Sequence, residues 1–297
     1  MKYNLIYPLL IVIASSSYGI LSTIIKVAMN HGYTSAEATT SQYIIGFLLA
    51  LLLFIITQRS MPKMNKSGAI FIILAGIFTG SVGIVYGQSL NYLPASLAVV
   101  LLFQFTWIGM LIDCILRKRL PDKAETVSLV FIFLGTILSA GVVDVDLTKI
   151  AWQGWVLGFA AAICFAIFIQ FNSRPVEGVT TISRTLIMSF VSFIWVSLFL
   201  SPEIIWDGTL FFEGLWIYGL ILGLFGIILP ILLFSIAVPK VGGGLASILS
   251  SMELPVAVLA SVIVLHETIT NLQVAGIVLV IIGMILPTAI AQQKNSV

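Results

Sequence analysis

The length of its uncharged stretches constrains this chain most: apolar runs of roughly 20 residues recur along it with few Asp, Glu, Lys or Arg inside them. A hydrocarbon layer about 30 Å thick is crossed by about 20 helical residues, so such runs read as transmembrane helices. Ten are counted, over approximately residues 5–29, 35–56, 68–90, 95–116, 126–143, 154–171, 183–200, 215–238, 245–265 and 272–291. Of the 297 residues 60% are hydrophobic and 9% charged, and what lies between the runs is too short for a soluble domain. The runs are continuously apolar rather than alternating with a period of two, which excludes a transmembrane barrel. The breaks carry Pro62, Pro121, Pro175 and Pro239 beside basic residues. The expected fold is therefore an all-α polytopic membrane protein.

Basic residues accumulate in cytoplasmic loops, and with both termini inside, all of the 14 Lys and Arg except Lys26 and Lys149 fall on the inner side. The acids lean outward, at Glu37, Asp144, Asp146, Glu203, Asp207, Glu213 and Glu267. Lys2, the run after it and Ala14-Ser15-Ser16 also have the form of a cleavable secretory signal. That run continues to Met29, and its removal would disturb the alternation of charge, so the first span is kept. Cys114 and Cys164 lie in or near spans and form no disulfide or metal framework.

Slid along itself by about 148 residues, the chain aligns its fourth and fifth spans with its ninth and tenth without a gap. Leu97-Ala98 meets Leu245-Ala246, Leu101 meets Leu249, Ile115 meets Ile263, Val130 meets Val278, and Gly135-Thr136-Ile137-Leu138 meets Gly283-Met284-Ile285-Leu286. One residue of shift brings Gly76 and Phe78 onto Gly223 and Phe225. Each half, 1–147 and 148–297, holds five runs; an odd number makes the second half enter the membrane from the opposite side. Two inverted five-helix repeats of this kind can pack in two arrangements of similar energy, open to either face.

Ten spans in a five-plus-five repeat resemble the drug/metabolite transporter superfamily, and specifically its EamA-like members, over nearly the whole chain. Tyr18-Gly19 with Lys26 two turns on stands where that family has an aromatic-Gly pair and a basic residue. Glu253-Leu254-Pro255, Glu267 and Gln273-Val274-Ala275-Gly276 match its pattern late in the second half. In the first half Trp107, Arg119 and Ser128 occupy the proline, glutamate and glycine positions, and Gln42 sits where many relatives carry Arg. The resemblance implies a carrier of amino acids, sugars, nucleoside-like compounds or toxic organic molecules. It also implies that spans one, three, four, six, eight and nine line the central path.

Glu253 is the one acid well inside a run. A carboxylate at that depth is costly and usually faces a cavity or a partner, so it is read as a substrate-ammonium or proton site, with satisfaction of backbone loosened by Pro255 as the structural alternative. Gln104 and Trp107, three apart, share a face at mid-depth; Tyr18 lies at similar depth, with Tyr86, Gln88 and Asn91 nearer the outer end. With Glu253 these form an expected aromatic, hydrogen-bonding substrate pocket; the alternative is that they join helices together. Lys26 is read as snorkelling to the headgroups or as an anion contact. Asp113 and Arg117 have the spacing of a helix ion pair. Gly242-Gly243-Gly244 lacks the Lys-Ser/Thr continuation of a phosphate loop and reads as a tight turn. Gly76 with Gly80, and Gly219 with Gly223, have the spacing of close helix contacts, and His266-Glu267 reads as a loop edge.

No Ser/His/Asp set, HExxH, metal-ligand spacing, cofactor motif or nucleotide-binding motif is found, which argues against an enzyme and points to a gradient as the energy source. The expectation is a secondary transporter of the cell membrane working by alternating access, with an exporter of amino acids or related metabolites as the specific reading. A sugar or nucleoside uptake carrier and a drug exporter of the same fold are alternatives; a membrane-embedded lipid-modifying enzyme, a channel and a scaffold are weaker ones. The implied partners are a small-molecule substrate, the bilayer, and protons or another ion, but no nucleic acid. A chain holding both repeats is compatible with a monomer.

Overall fold

The computed structural model describes residues 5–58, 60, 64–89, 91–93, 95–140, 150–200, 202–266 and 268–296, and no strand occurs among them. The expectations placed on Lys2, Arg59, Pro62, Lys63, Asp144, Asp146, Lys149 and Glu267 lie outside the described residues. In chain order the helices are α1 (Ile6–Asn30), α2 (Ser35–Thr57), α3 (Lys66–Ser89), α4 (Ala95–Leu102), α5 (Phe105–Arg117), α6 (Lys123–Ser139), α7 (Trp152–Asn172), α8 (Thr181–Phe199), α9 (Leu215–Gly223), α10 (Leu229–Val241), α11 (Gly243–Leu249), α12 (Glu253–Leu265) and α13 (Asn271–Ser296). Among the described residues, nine segments are long and apolar enough to cross a bilayer. The fifth expected span is occupied by α6, whose 17 residues are fewer than the run of 126–143 promised.

Three spans are not single α-helices. Residues 103–104 break α4 from α5, a π-helical turn at Leu224–Ile228 joins α9 to α10, and a 3-10 turn at Ser250–Met252 joins α11 to α12. The apolar pattern runs straight through all three, so hydropathy alone gave no sign of them.

Contacts between loops sort the helix ends into two faces. Gln58 accepts hydrogen bonds from Thr180 and Ser183 at 2.7 Å each, Gly68 lies against Val176, and Arg117 overhangs Gly242. These contacts gather the α2–α3, α5–α6, α7–α8 and α10–α11 connections on one face. On the other, Tyr33 donates to the Glu213 carbonyl at 2.5 Å, Gly154 packs on Tyr92 and Leu93, and Gly276 meets Ser139. The first is the basic face: it carries Lys66, Arg117, Lys118, Arg119, Lys123, Arg174, Arg184 and Lys240.

The local signals that start and stop the helices recur between the halves. Asp122 and Glu125 form a reciprocal capping box at the start of α6, and Thr270 and Gln273 form the equivalent one before α13. Thr34 caps α2 and Thr180 caps α8. Lys118 (φ 52°) and His266 (φ 55°) end α5 and α12 in the left-handed conformation that usually goes to glycine. Members of each pair lie on opposite faces. The interruptions at 103–104 and Ser250–Met252 also fall at matching places.

Packing follows from small residues, because lipid removes the hydrophobic drive between helices and leaves close contact and hydrogen bonding to hold them. Along the α6–α13 seam, Gly135 and Gly276 meet backbone to backbone and the Ser128 hydroxyl donates to the Gly283 carbonyl. Gly19 on α1 lies on the Glu253 carbonyl, Val256 and Ala257, so any side chain there would separate α1 from α12.

Candidate functional site

Tyr18 and Gly19 are mid-helix in α1, and the close approach at Gly19 sets the start of α12 beside Tyr18. Glu253 is the first residue of α12, directly after the 3-10 turn. The break points a half-helix N-terminus into the protein, where its partial positive charge favours an acid. The side chain is half-buried, and its Oε2 is enclosed without accepting a hydrogen bond.

Tyr18 and Tyr86 both lie within electrostatic reach of Glu253, and Tyr43 within reach of Tyr18. Two phenols, from α1 and α3, thus lie near one carboxylate, and a third, from α2, lies near Tyr18. Tyr43 donates to the Thr79 carbonyl at 2.9 Å, which ties α2 to α3. Below Tyr18, toward the basic face, is an aromatic floor. Tyr18 meets Phe165 edge-on with centroids 5.9 Å apart and Phe234 at 6.0 Å, Phe105 meets Phe165 at 4.5 Å, and Phe165 stacks on Phe168 at 5.8 Å. All four phenylalanines are buried. An enclosed carboxylate oxygen with phenols near it suits a small cation or an ammonium group.

The floor is backed by a tight junction at the basic face. Each glycine of the 242–244 run receives a side chain: Arg117 overhangs Gly242, Gln170 overhangs Gly243, and Met110 and Asp113 overhang Gly244. Gln170 also donates to the Gly109 carbonyl at 2.7 Å, joining α7 to α5. The sequence reading of these glycines as a turn holds only for Gly242 (φ 92°), since Gly243 and Gly244 begin α11 and serve close packing.

Arg119 locks the same corner, with NH1 and NH2 at 2.6 and 2.9 Å from the two Glu125 oxygens and NH2 at 3.0 Å from Asp113. The hydrogen bond to Glu125 first, and that to Asp113, raise its pKa against the opposing effect of burial, so it stays charged. Asp113 also accepts from Arg117 at 2.9 Å, as the i,i+4 spacing predicts. At the opposite face packing is looser: every residue of α11 but Leu245 is buried, whereas α12 buries only Leu254 and Pro255.

The expected site residues divide into those this centre gathers and those it does not. Tyr18, Tyr86 and Glu253 converge. Gln88 is exposed on a cleft between the start of α2 and the end of α3, with Asn91 and Thr39. Lys26 is exposed near the end of α1. Gln104 and Trp107 do share a face, as their spacing requires, but are engaged with each other: Trp107 Nε1 donates to Gln104 Oε1 at 2.8 Å, and Gln104 Nε2 to the Val100 carbonyl at 2.8 Å. Trp107 is 38% exposed on the outward stripe of Leu111 and Ile115, beside Phe159. Among the described contacts none joins either residue to Glu253. Tyr43, on a span the resemblance leaves off the path, was not singled out in the sequence and is the one further phenol near Tyr18 among the described contacts; a tyrosine mid-span next to Gln42 was the available signal.

The EamA-like transporter family matches the chain twice, over residues 5–141 and 152–288. A solved crystal structure of 13% identity superposes on 98% of this chain and 99% of its own with a TM-score of 0.75, which shows a shared fold. No functionally curated protein matches the sequence at a significant level.

Proposed function

The chain belongs to the EamA-like transporter family, whose two matches cover most of its length, and from that premise we propose that it is a secondary carrier exporting amino acids or related amino-bearing metabolites across the cell membrane. The observation that carries the substrate class is the Glu253 carboxylate at a helix break, with an enclosed, unpartnered Oε2 and the phenols of Tyr18 and Tyr86 near it. A substrate ammonium, or a proton in the alternate half of the cycle, satisfies that oxygen.

The mechanism proposed is alternating access by two inverted five-helix units, with α6 as the fifth of ten spans. The caps and breaks that match between halves on opposite faces support it, as does the contrast between buried α11 and sparsely buried α12. In this reading the basic face is cytoplasmic by the charge rule and closed by the phenylalanine floor, and the opposite face is the open one.

A thermal-shift screen of the purified chain against amino acids, amines, sugars, nucleosides and cationic drugs, followed by flux in proteoliposomes, tests this, since a ligand of the folded state raises its apparent stability. Stabilisation by amino compounds, weakened but still measurable in Tyr18→Phe and Glu253→Gln, is expected. Stabilisation by neutral sugars or nucleosides that survives Glu253→Gln overturns the amino-compound reading.

A further inference from the structure

A second cleft opens on the basic face, between the start of α8 and the end of α10, away from the Glu253 centre. Arg184, Lys240, Ser235 and Thr181 supply its polar lining, and Val176, Ile236 and Pro239 part of its apolar wall. Arg184 is only 5% exposed and, among the described residues, forms no ion pair with a carboxylate; its terminal nitrogens donate to the Phe171 and Arg174 carbonyls at 2.9 and 3.1 Å. Its Nε is enclosed and has no partner. Two carbonyls at the end of α7 offset part of a buried guanidinium's desolvation but do not neutralise it. Lys240 is exposed at the mouth, and Thr181 is the first residue of the 19-residue α8, whose first-turn amides, apart from the Ser183 amide held by Thr180, favour an anion.

The cleft has a counterpart. The opening beside Gln88, between the start of α2 and the end of α3, occupies the corresponding place in the other half and on the other face, yet among the described residues no charged one lines it. One groove thus occurs twice, and cations are built into one copy.

We propose that the α8–α10 cleft is a binding site for a phosphate group, presented by an anionic phospholipid headgroup or by a free phosphate. The enclosed Arg184 Nε and the Lys240 ammonium are the donors that hold it. This assignment goes beyond the transport reading and does not depend on it.

The test uses the full chain purified in neutral detergent, with the thermal unfolding midpoint as readout. One arm titrates inorganic phosphate against chloride at matched ionic strength; the other adds phosphatidylglycerol or phosphatidylcholine to the micelles. A saturable rise with phosphate identifies a free anion, and a rise with phosphatidylglycerol alone identifies a headgroup. In either case Lys240→Gln weakens the apparent affinity by about tenfold, as expected for a lost charge-assisted hydrogen bond, while Lys123→Gln, on the same face but outside the cleft, leaves it unchanged. Arg184→Lys, which keeps the charge and removes Nε, weakens it too; if that variant does not fold, Lys240 decides. The proposal is overturned if neither anion raises the midpoint above its control, or if Lys240→Gln and Lys123→Gln have equal effects.

Discussion

In the proposed carrier, Glu253 works through a single carboxylate oxygen. Glu253→Gln keeps the shape of the side chain but cannot carry charge or exchange a proton. Flux driven by a pH gradient is expected to vanish in proteoliposomes while substrate binding stays measurable by thermal shift; undiminished driven flux would remove Glu253 from the coupling step. Tyr43→Phe takes away the hydroxyl that bonds the Thr79 carbonyl, and a loss of roughly 0.5–1.5 kcal/mol is expected in detergent unfolding. Trp107→Phe, on the outward stripe, should leave substrate affinity unchanged, and a large rise in Kd would return that residue to the site. Arg119 explains a departure from the family pattern. At the position where the family resemblance leads one to expect an acid this chain has a cation, and Glu125 and buried Asp113 supply the matching charges. Arg119→Ala leaves Asp113 with Arg117 alone. Because Arg119 is about one-third exposed, the cost is discounted from the buried-pair value to roughly 2 kcal/mol, seen as a lower unfolding midpoint.

Between helices, glycine is where the sequence commits itself to a particular neighbour. Gly19→Ala would place a methyl 2.5 Å from the Glu253 carbonyl oxygen and 2.9 Å from Val256 Cβ. The α1–α12 contact must then open, at a cost of about 1–3 kcal/mol, and Glu253 moves with it. Both stability and substrate affinity are expected to fall. Gly276→Ala crowds the α6–α13 seam at Ser139 and Gly135, far from the Glu253 centre, so an unfolding assay should show a similar loss while the Kd of the surviving protein is unaltered. If both variants lowered affinity alike, the link between Gly19 and the site would lose its support. The mid-span breaks matter at this scale too, since they free backbone groups inside the protein without a full loop, which lipid would not tolerate.

For the whole molecule, asymmetry between the faces is the feature with consequences. The basic face is closed by the Gly242–Gly244 contacts, the Arg119 network and the phenylalanine floor, while α12 at the opposite face buries little. In the proposed cycle this is the state open away from the cytoplasm. A cysteine placed at Tyr86 is expected to react with a water-soluble thiol reagent from that side, and one at Phe168 to be protected. Gly243→Leu, which drives a side chain into Gln170, should reverse that pattern by opening the basic face; unchanged protection of Phe168 would show that the glycine contacts do not hold the closure.

How much of this could be read beforehand follows from which interactions are local. Helical spans, their approximate limits, the basic face and the Asp113–Arg117 pair were legible, because they depend on runs and spacings within one segment. The recurrence at an offset of about 148 residues pointed to two related halves before any contact was known. Glu253 and Tyr18 stood out because polar groups at such depth are rare. Tyr43, the floor of Phe105, Phe165, Phe168 and Phe234, and the outward setting of Trp107 were not legible, since a helix surface pointing at lipid and one pointing at a neighbour are both apolar. The Gly242–Gly244 run shows the boundary between the two kinds of information: its composition announced a tight turn, and only the arrival of Arg117, Gln170 and Asp113 from two other helices made Gly243 and Gly244 a close packing contact instead.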